Sequence, residues 1–316
     1  MRPLPEQFQA YGWAMSTAEA ARIAGVEPAQ VLRFDGNTPP TPPEYATPGV
    51  LAPALAEIQR YPHGGFPSLL EAIAEYADVE TSRVVLGAGA DDLLLLSARA
   101  FAGPGDVVRV LDEPTYPLIR IAAWLAGAEV GDDDAVVTFC CRPHNPTGAL
   151  GPVPSERPLV VDEAYYEFGG DTAAGLAGVV AIRTFSKAFA LAAARVGCAI
   201  ADEDVAEALV VRQDPLPITT LSAALALAAL RAGPPDVSET IGERERMSRA
   251  LDELGFAPLP SHANFVYVPT EKAGALYERL LARGLVIRPF GGAIRITVHE
   301  PAANDRLLDA LEQANR

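Results

Sequence analysis

The sequence predicts an α/β protein with a mostly parallel sheet sandwiched by helices, together with a smaller α+β domain. Two observations lead to this prediction. Between Pro53 and about Ile200, short apolar runs typical of strands alternate with stretches of helical periodicity. After about Pro234 the pattern changes to a long charged helix followed by short strands. Alternation of the first kind is typical of parallel sheets, whose strands are covered by helices on both faces.

In the first part, each element is an apolar run bounded by glycine, proline or polar residues. Helices are predicted at Pro67–Tyr76, Asp91–Phe101 and Pro117–Ala126. Strands are predicted at Arg83–Leu86, Val107–Leu111, Ala135–Cys140, Leu159–Val161, Val179–Thr184 and Gly197–Ile200. Helices and strands therefore alternate through most of this part.

The second part has a less regular order. Its predicted elements are the helix Val237–Leu254, the strand Asn264–Val268, the helix Ala273–Arg283, the strands Val286–Arg288 and Ala293–Thr297, and a last helix from Asn304. Near the N-terminus, Ser16 or Thr17 is expected to cap a helix that ends near Gly25. Four prolines between Thr38 and Pro43 exclude a helix or a central strand there, so an extended arm is expected.

A length of 316 residues suits one large and one small domain. The predicted division is an N-terminal arm with part of the small domain (residues 1–45), a large domain (46–235) and a C-terminal small domain (236–316).

The composition excludes several classes of partner. With 25 Lys and Arg against 41 Asp and Glu, the formal net charge is 25 − 41 = −16. Nucleic acid and anionic membranes are therefore not expected as partners, because both need a basic surface. The three cysteines have neither a disulfide framework nor metal-ligand spacing, so no metal site is predicted. No signal-peptide stretch begins the chain, and the apolar helical run Leu221–Leu230 is too short to cross a bilayer. A cytoplasmic protein is predicted.

Three motifs indicate the chemistry. Asn145 lies in the turn-forming run Pro143–Gly148, Asp162 ends an apolar strand, and Lys187 follows another. A lysine amine for a Schiff base, a carboxylate at a strand end and an amide in a tight turn are the groups needed to hold and use pyridoxal phosphate.

With these motifs the chain resembles fold-type I pyridoxal-phosphate aminotransferases, and is most similar to the histidinol-phosphate aminotransferase family. The resemblance extends from about Arg33 to the C-terminus. It implies an aspartate-aminotransferase-like large domain and pyridoxal 5′-phosphate as cofactor. The implied reaction is transamination between histidinol phosphate and 2-oxoglutarate, which gives imidazole acetol phosphate and glutamate.

The resemblance also implies roles for residues at the cofactor. Lys187 is expected to bind the cofactor and to move protons, since a desolvated lysine loses its proton readily. Asp162 would keep the ring nitrogen protonated, while Tyr165 and Asn145 would hydrogen-bond the phenolic oxygen. Tyr116 matches the aromatic residue that stacks on the ring. The residues expected at the cofactor phosphate are Gly89, Ala90, Asp91, Ser186 and Arg195.

Tyr61 matches a family tyrosine that reaches the phosphate of the neighbouring subunit, so the resemblance implies a homodimer. Arg288 and Arg295 lie on two predicted strands of the small domain. An arginine between apolar neighbours is costly to bury without an anion, so a substrate anion is the expected partner. By resemblance this pair helps to hold the substrate phosphate, and Asn264 lies near the substrate.

Several departures from the family pattern leave the substrate open. Asn37-Thr38-Pro39-Pro40 stands where the family has Asn-Glu-Asn-Pro, and His144 and His63 stand where relatives have an asparagine and an acidic residue. The segments 131–135 and 150–158 are shorter than in relatives. Transamination of an aromatic or other amino acid is one alternative, and decarboxylation of a phosphorylated amino acid is another. A catalytically silent cofactor-binding protein is a third alternative, and the presence of Lys187 speaks against it.

Overall fold

The computed structural model describes residues 4–315. The helices, numbered in chain order, are α1 (Thr17–Ala24), α2 (Pro48–Ala56), α3 (Pro67–Ala77), α4 (Ala90–Phe101), α5 (Pro117–Ala126), α6 (Tyr166–Gly169), α7 (Glu203–Arg212), α8 (Thr220–Arg231), α9 (Ser238–Glu253), α10 (Ala273–Leu281) and α11 (Pro301–Asn315). The strands are β1 (Leu32–Arg33), β2 (Val84–Gly87), β3 (Val107–Val110), β4 (Glu129–Val130), β5 (Ala135–Cys141), β6 (Leu159–Asp162), β7 (Val179–Thr184), β8 (Gly197–Ile200), β9 (Phe265–Pro269), β10 (Leu285–Val286), β11 (Arg288–Phe290) and β12 (Ala293–Thr297).

The described residues form two compact units. The first comprises residues 4–11, 41–144 and 151–235, and the second comprises residues 12–40, 145–150 and 236–315. The division into domains at residues 45 and 235 stays a prediction.

The first unit contains a seven-stranded sheet with the order β2-β8-β7-β6-β5-β3-β4. Strand β8 is antiparallel to both of its neighbours, and the other four pairings are parallel. The predicted fold class, with a mostly parallel sheet between helices, is therefore confirmed.

Helices cover both faces of this sheet because apolar side chains alternate along its strands. Val85 packs with residues of α4, α5 and α7, such as Leu93 and Ile119, in one buried cluster. Its neighbours in β2 belong to a second cluster with residues of α3 and α8, such as Ile73 and Ala226. The carboxyl ends of β6 and β7, where Asp162 and Lys187 occur, thus belong to a rigid, doubly covered sheet.

The second unit contains an antiparallel sheet with the order β11-β12-β9 and a separate parallel pair, β1 and β10. Ile294 and Ile296 of β12 face a core that is completed by residues of α9, α10 and α11. Because side chains alternate along a strand, Arg295 lies on the opposite face of the sheet.

Most predicted boundaries agree with the structure within two residues, and the exceptions are informative. The single strand predicted at Val286–Arg288 is wrong, because residues on either side of Ile287 pair with different strands, β1 and β12. The last helix begins at Pro301, three residues before the predicted start at Asn304. The helices α2, α6 and α7 and the two-residue strands β1 and β4 were not predicted. Residues 151–158 form no helix or strand, in line with the shortening predicted there.

Candidate active site

Asp162 is the last residue of β6 and is 3% exposed. Its carboxylate accepts a hydrogen bond from the backbone N–H of Ala164 at 3.1 Å. The thiol of Cys141, on the adjacent strand β5, lies 3.8 Å from the other carboxylate oxygen. Burial raises the pKa of Asp162 to about 7, and the charge of Asp91 adds to this, while the Ala164 N–H and the charge of Lys187 oppose it. A cation placed against this carboxylate would therefore be strongly favoured.

Lys187 lies in the loop that joins β7 to β8. The loop is closed at its base by a hydrogen bond from the Phe185 N–H to the Val196 carbonyl at 3.1 Å, and Ala190 N–H donates to the Lys187 carbonyl at 3.0 Å. The Lys187 ammonium is 5.8 Å from the ring centre of Tyr165. The structure therefore brings Lys187 and Tyr165 together within the first unit.

A cradle suited to a phosphate lies where β2 leads into α4. Gly89 has a φ of 84°, a conformation that side chains disfavour. A Cβ added there would be 2.8 Å from Nη2 of Arg195. The Arg195 guanidinium also lies 3.0 Å from Oδ2 of Asp91 and 3.5 Å from the hydroxyl of Ser186. With Ala90 at the N-terminus of α4, the structure brings all five predicted phosphate residues together.

Tyr116 precedes α5 and is linked to the same cradle. Its hydroxyl donates to Oδ1 of Asp91 at 2.9 Å. The ring of Tyr11, in the N-terminal segment, lies edge-on to Tyr116 with 6.1 Å between ring centres. Burial and the charge of Asp91 raise the pKa of Tyr116, so its hydroxyl stays protonated and remains a donor.

Tyr61 is not part of this cluster. It lies between α2 and α3 and is 74% exposed. Its expected role at the site of a neighbouring subunit stays a prediction.

In the second unit, Arg295 is buried and held by two long-range contacts. Its Nη1 donates to Oδ1 of Asn145 at 2.5 Å, and its Nη2 donates to the carbonyl of Asp35 at 3.0 Å. The rings of Phe265 and Phe290 flank the guanidinium at 5.2 and 5.7 Å. Asn145, predicted as a cofactor residue, is therefore in direct contact with a predicted substrate residue.

Arg288 and Asn264 have different settings. Arg288 is directly opposite Arg295 in the register of β11 and β12, so both side chains lie on one face of the sheet. Arg288 is exposed. The amide of Asn264 is buried and donates to the carbonyl of Asn37 at 3.0 Å. This bond fixes the start of the segment Asn37-Thr38, where the sequence differs from the family pattern. Oδ1 of Asn264 has no hydrogen-bond partner among residues 4–315.

His144, which departs from the family pattern, donates from Nε2 to the carbonyl of Asp112 at 2.9 Å. Sequence reasoning assigned no role to two buried charged residues at the site. Glu163 and Arg183 form an ion pair at 3.1 Å next to Asp162. A signal was present for this pair, since Arg183 interrupts the apolar run of β7 and Glu163 directly follows a buried strand.

Two negative findings apply to residues 4–315. No group of three or more His, Cys, Asp or Glu residues could hold a metal ion in this part of the chain. Likewise, none of its helices is long and apolar enough to cross a membrane.

Residues 31–132 and 131–311 match the family model of class I and II aminotransferases. The chain belongs to this aminotransferase family. The match confirms the predicted enzyme class, a transaminase that uses pyridoxal 5′-phosphate.

Curated relatives of this aminotransferase narrow the family further. The histidinol-phosphate aminotransferase of Staphylococcus haemolyticus (strain JCSC1435) is 35% identical, over 82% of this chain and 84% of that protein. That of Staphylococcus aureus (strain bovine RF122 / ET3-1) is 31% identical, over 98% of each protein. The aminotransferase therefore belongs to the histidinol-phosphate aminotransferase family, as predicted.

The fold also agrees with a solved structure. The histidinol-phosphate aminotransferase from Sinorhizobium meliloti, in complex with pyridoxal-5′-phosphate, has a TM-score of 0.82 and 24% identity, over 98% of this chain and 97% of that chain.

The residues of the first unit fit pyridoxal 5′-phosphate on two observations. The cradle at Gly89 has no room for a Cβ beside Arg195, so the backbone and the guanidinium stand close enough to share one anion. The Asp162 carboxylate is buried at the end of β6 and burial raises its pKa to about 7, so a protonated pyridine nitrogen beside it would be a suitable cationic partner.

Proposed function

We propose that the aminotransferase transfers the amino group of histidinol phosphate to 2-oxoglutarate, giving imidazole acetol phosphate and glutamate in two half-reactions. Its place would then be in histidine biosynthesis. The relatives named above carry this activity in their names, and they favour it over an aromatic amino-acid donor or a decarboxylation.

The observation that carries the proposal is the arginine face of the second unit. Arg295 is buried, fixed by Asn145 and Asp35, and flanked by aromatic rings. Arg288 adds a second guanidinium on the same face. Arginine binds phosphate through paired, charge-assisted hydrogen bonds, so two arginines on one face suit a donor whose anionic group is doubly charged.

The cofactor, when bound, withdraws electrons from the substrate carbon that carries the amino group. Lys187 then holds and moves the proton at that carbon as a general base and acid. Asp162 keeps the proton on the ring nitrogen, because the buried carboxylate is stabilised by a cation beside it. Tyr165 and Asn145 orient the phenolic oxygen, and Tyr116 packs against the ring. These residue roles are part of the proposal.

The proposal also includes the cradle as the phosphate site, formed by Gly89, Ala90, Asp91, Ser186 and Arg195. Arg288, Arg295 and Asn264 are proposed to bind the substrate.

A homodimer is proposed in which Tyr61 serves the neighbouring site. Its 74% exposure leaves the phenol available to another subunit. A cytoplasmic location is proposed as well, since the three cysteines are buried and form no disulfide.

The visible absorbance spectrum of the cofactor-loaded enzyme tests the substrate. Histidinol phosphate added without an acceptor should convert the visible band of the bound cofactor to the near-ultraviolet band of its aminated form. Histidinol, which lacks the phosphate, is the matched control and should need a concentration about 100-fold higher, since a charged hydrogen-bonding group is absent.

Conversion by phenylalanine or tyrosine, with no response to histidinol phosphate, would replace the donor in this proposal and leave the transaminase class intact. Equal responses to histidinol phosphate and histidinol would contradict the phosphate role of the arginine face.

A further inference from the structure

A buried ion pair, Glu163 with Arg183, lies at the carboxyl ends of β6 and β7, near the proposed cofactor residues Asp162 and Lys187 in sequence. Glu163 follows Asp162 at the end of β6, and Arg183 lies on β7, four residues before Lys187. Nε of Arg183 is 3.1 Å from Oε2 of Glu163, and the side chains are only 4% and 0% exposed. Since β6 and β7 are adjacent parallel strands, the pair connects their carboxyl ends.

Both oxygens of Glu163 are satisfied by the protein. Oε1 accepts from the N–H of Ala173 at 2.5 Å, and the hydroxyl of Thr172 lies 2.9 and 2.8 Å from the two oxygens. Nη2 of Arg183 donates to the same Thr172 hydroxyl at 2.8 Å. The pair is therefore fixed in orientation as well as in distance.

Aromatic rings hold the guanidinium from the other side. Arg183 lies 3.7 Å from the ring centre of Tyr166 and 5.3 Å from that of Tyr76. The Tyr76 hydroxyl in turn donates to Glu167 at 2.7 Å. Tyr166 directly follows Tyr165, which is proposed to hydrogen-bond the phenolic oxygen of the cofactor. The network therefore also contacts the segment that carries this residue.

Stability does not account for this pair. Removing two charges from water costs several kcal/mol per ion by general estimates, and apolar replacements of buried pairs are often neutral or stabilising. Part of the cost is not recovered here, because Nη1 of Arg183 is buried without a hydrogen-bond partner among the described residues. The strand ends are already joined by a main-chain bond from the Glu163 N–H to the Ile182 carbonyl at 2.8 Å.

We propose that Arg183 and Glu163 are positioning residues of the transaminase: they fix the carboxyl ends of β6 and β7 so that Asp162 and Lys187 hold the cofactor in one geometry. This inference rests on the proposed roles of those two residues. A small displacement of a reacting group can lower a rate about 100-fold, which makes such a fixed connection useful for catalysis.

The test is the double variant Glu163→Gln with Arg183→Met. It removes both charges, replaces the arginine by a shorter apolar side chain, and keeps the side-chain length at position 163 with its acceptor for the Ala173 N–H. The urea midpoint of the cofactor-free variant should equal or exceed that of the wild type. In the loaded enzyme kcat should fall about 100-fold, with little change in KM. The pH midpoint of the cofactor's visible band, measured without substrate, should shift by about one pH unit.

A matched control exists in the same sheet. Arg83 and Asp202 form an ion pair at 3.0 Å beside Val84 and Ile200. This is the end of the β2–β8 pairing that lies away from Gly87 and Gly197. The variant Arg83→Met should leave kcat and the pH midpoint of the band unchanged.

Wild-type kcat and an unshifted pH midpoint in the double variant would overturn the proposal. So would a lowered urea midpoint with an unshifted band, since that result assigns the pair a purely structural role. Asp162→Asn, measured in parallel, tests the underlying assignment separately: wild-type turnover in that variant would reject the role of Asp162 itself.

Discussion

The first unit and the second unit each contain a proposed anion site, and the two sites are formed by different kinds of groups. The cradle of the first unit uses the backbone at Gly89, the start of α4 and one guanidinium, Arg195, which is half exposed. The second unit uses a buried guanidinium, Arg295, whose partners Asn145 and Asp35 lie 150 and 260 residues away in sequence. A backbone cradle depends on shape, whereas a buried arginine depends on its charge and its distant partners.

The largest effect is expected at Lys187, where binding and turnover can be separated. Lys187→Ala should lower kcat by about 10⁴-fold or more, because covalent binding and proton transfer are both lost. The cradle does not include this residue, so the variant should still bind pyridoxal 5′-phosphate, as equilibrium dialysis would measure. Normal turnover by the variant would contradict the assigned role.

Arg295→Lys probes the buried guanidinium. A lysine keeps the charge but cannot bind Asn145, Asp35 and a substrate anion together, so kcat/KM for the phosphorylated donor should fall about 100-fold. Steady-state kinetics measures this, with Arg306→Lys, on the exposed side of α11, as the control that should behave as wild type. An equal loss in both variants would contradict a specific role for the Arg295 guanidinium.

Gly89→Ala probes the backbone cradle. The added Cβ would meet Arg195 at 2.8 Å, and the residue has a positive φ, so the affinity for the cofactor should fall about tenfold. Gly105→Ala is matched, because Gly105 has a φ of 92° with open space around it. It should cost about 1 kcal/mol of stability through backbone strain without a change in cofactor affinity. Equal affinity losses in a fluorescence titration would show that strain alone is responsible.

The smallest effect is expected from acid, in the core of the second unit. His299 is buried and stacks on Phe34 at 4.5 Å between ring centres, and burial lowers its pKa. The unfolded chain then binds more protons than the native protein, so stability is lost as the pH falls below about 6.5. His299→Phe should reduce this loss by about 1 kcal/mol in urea denaturation.

The pKa of His144 in the first unit is lowered as well. The dependence of the unfolding free energy on pH should therefore become weaker in the His299→Phe variant but not vanish. His63→Gln, at an exposed position, should retain the wild-type dependence of the unfolding free energy on pH. An unchanged dependence in His299→Phe would contradict the contribution assigned to His299.

The residues of the first proposed anion site are grouped by local sequence patterns more directly than those of the second. The bounds of β7 and β12 agree with the prediction. The cradle residues lie at the ends of local elements, where motif and geometry coincide. The partner of Arg295 at Asp35 is a main-chain carbonyl, which no residue type signals.

Other features depend on tertiary context alone. The ten-residue helix α7 mixes acidic residues with exposed valines, so its periodicity is weak. The connection between Arg183 and Glu163 requires knowledge that β6 and β7 are neighbours, which follows from the sheet order and not from either strand.

The reversed direction of β8 has a consequence for how the site forms. Because β7 and β8 are antiparallel neighbours, the residues between them form a hairpin connection whose two ends meet at the sheet. Ser186, Lys187 and Arg195 all belong to this one connection. Contacts between residues so close in sequence cost little chain entropy to form. The proposed attachment point for the aldehyde and two of the five proposed phosphate ligands can thus come together early in folding. Gly89, Ala90 and Asp91 join them only when β2 pairs with β8.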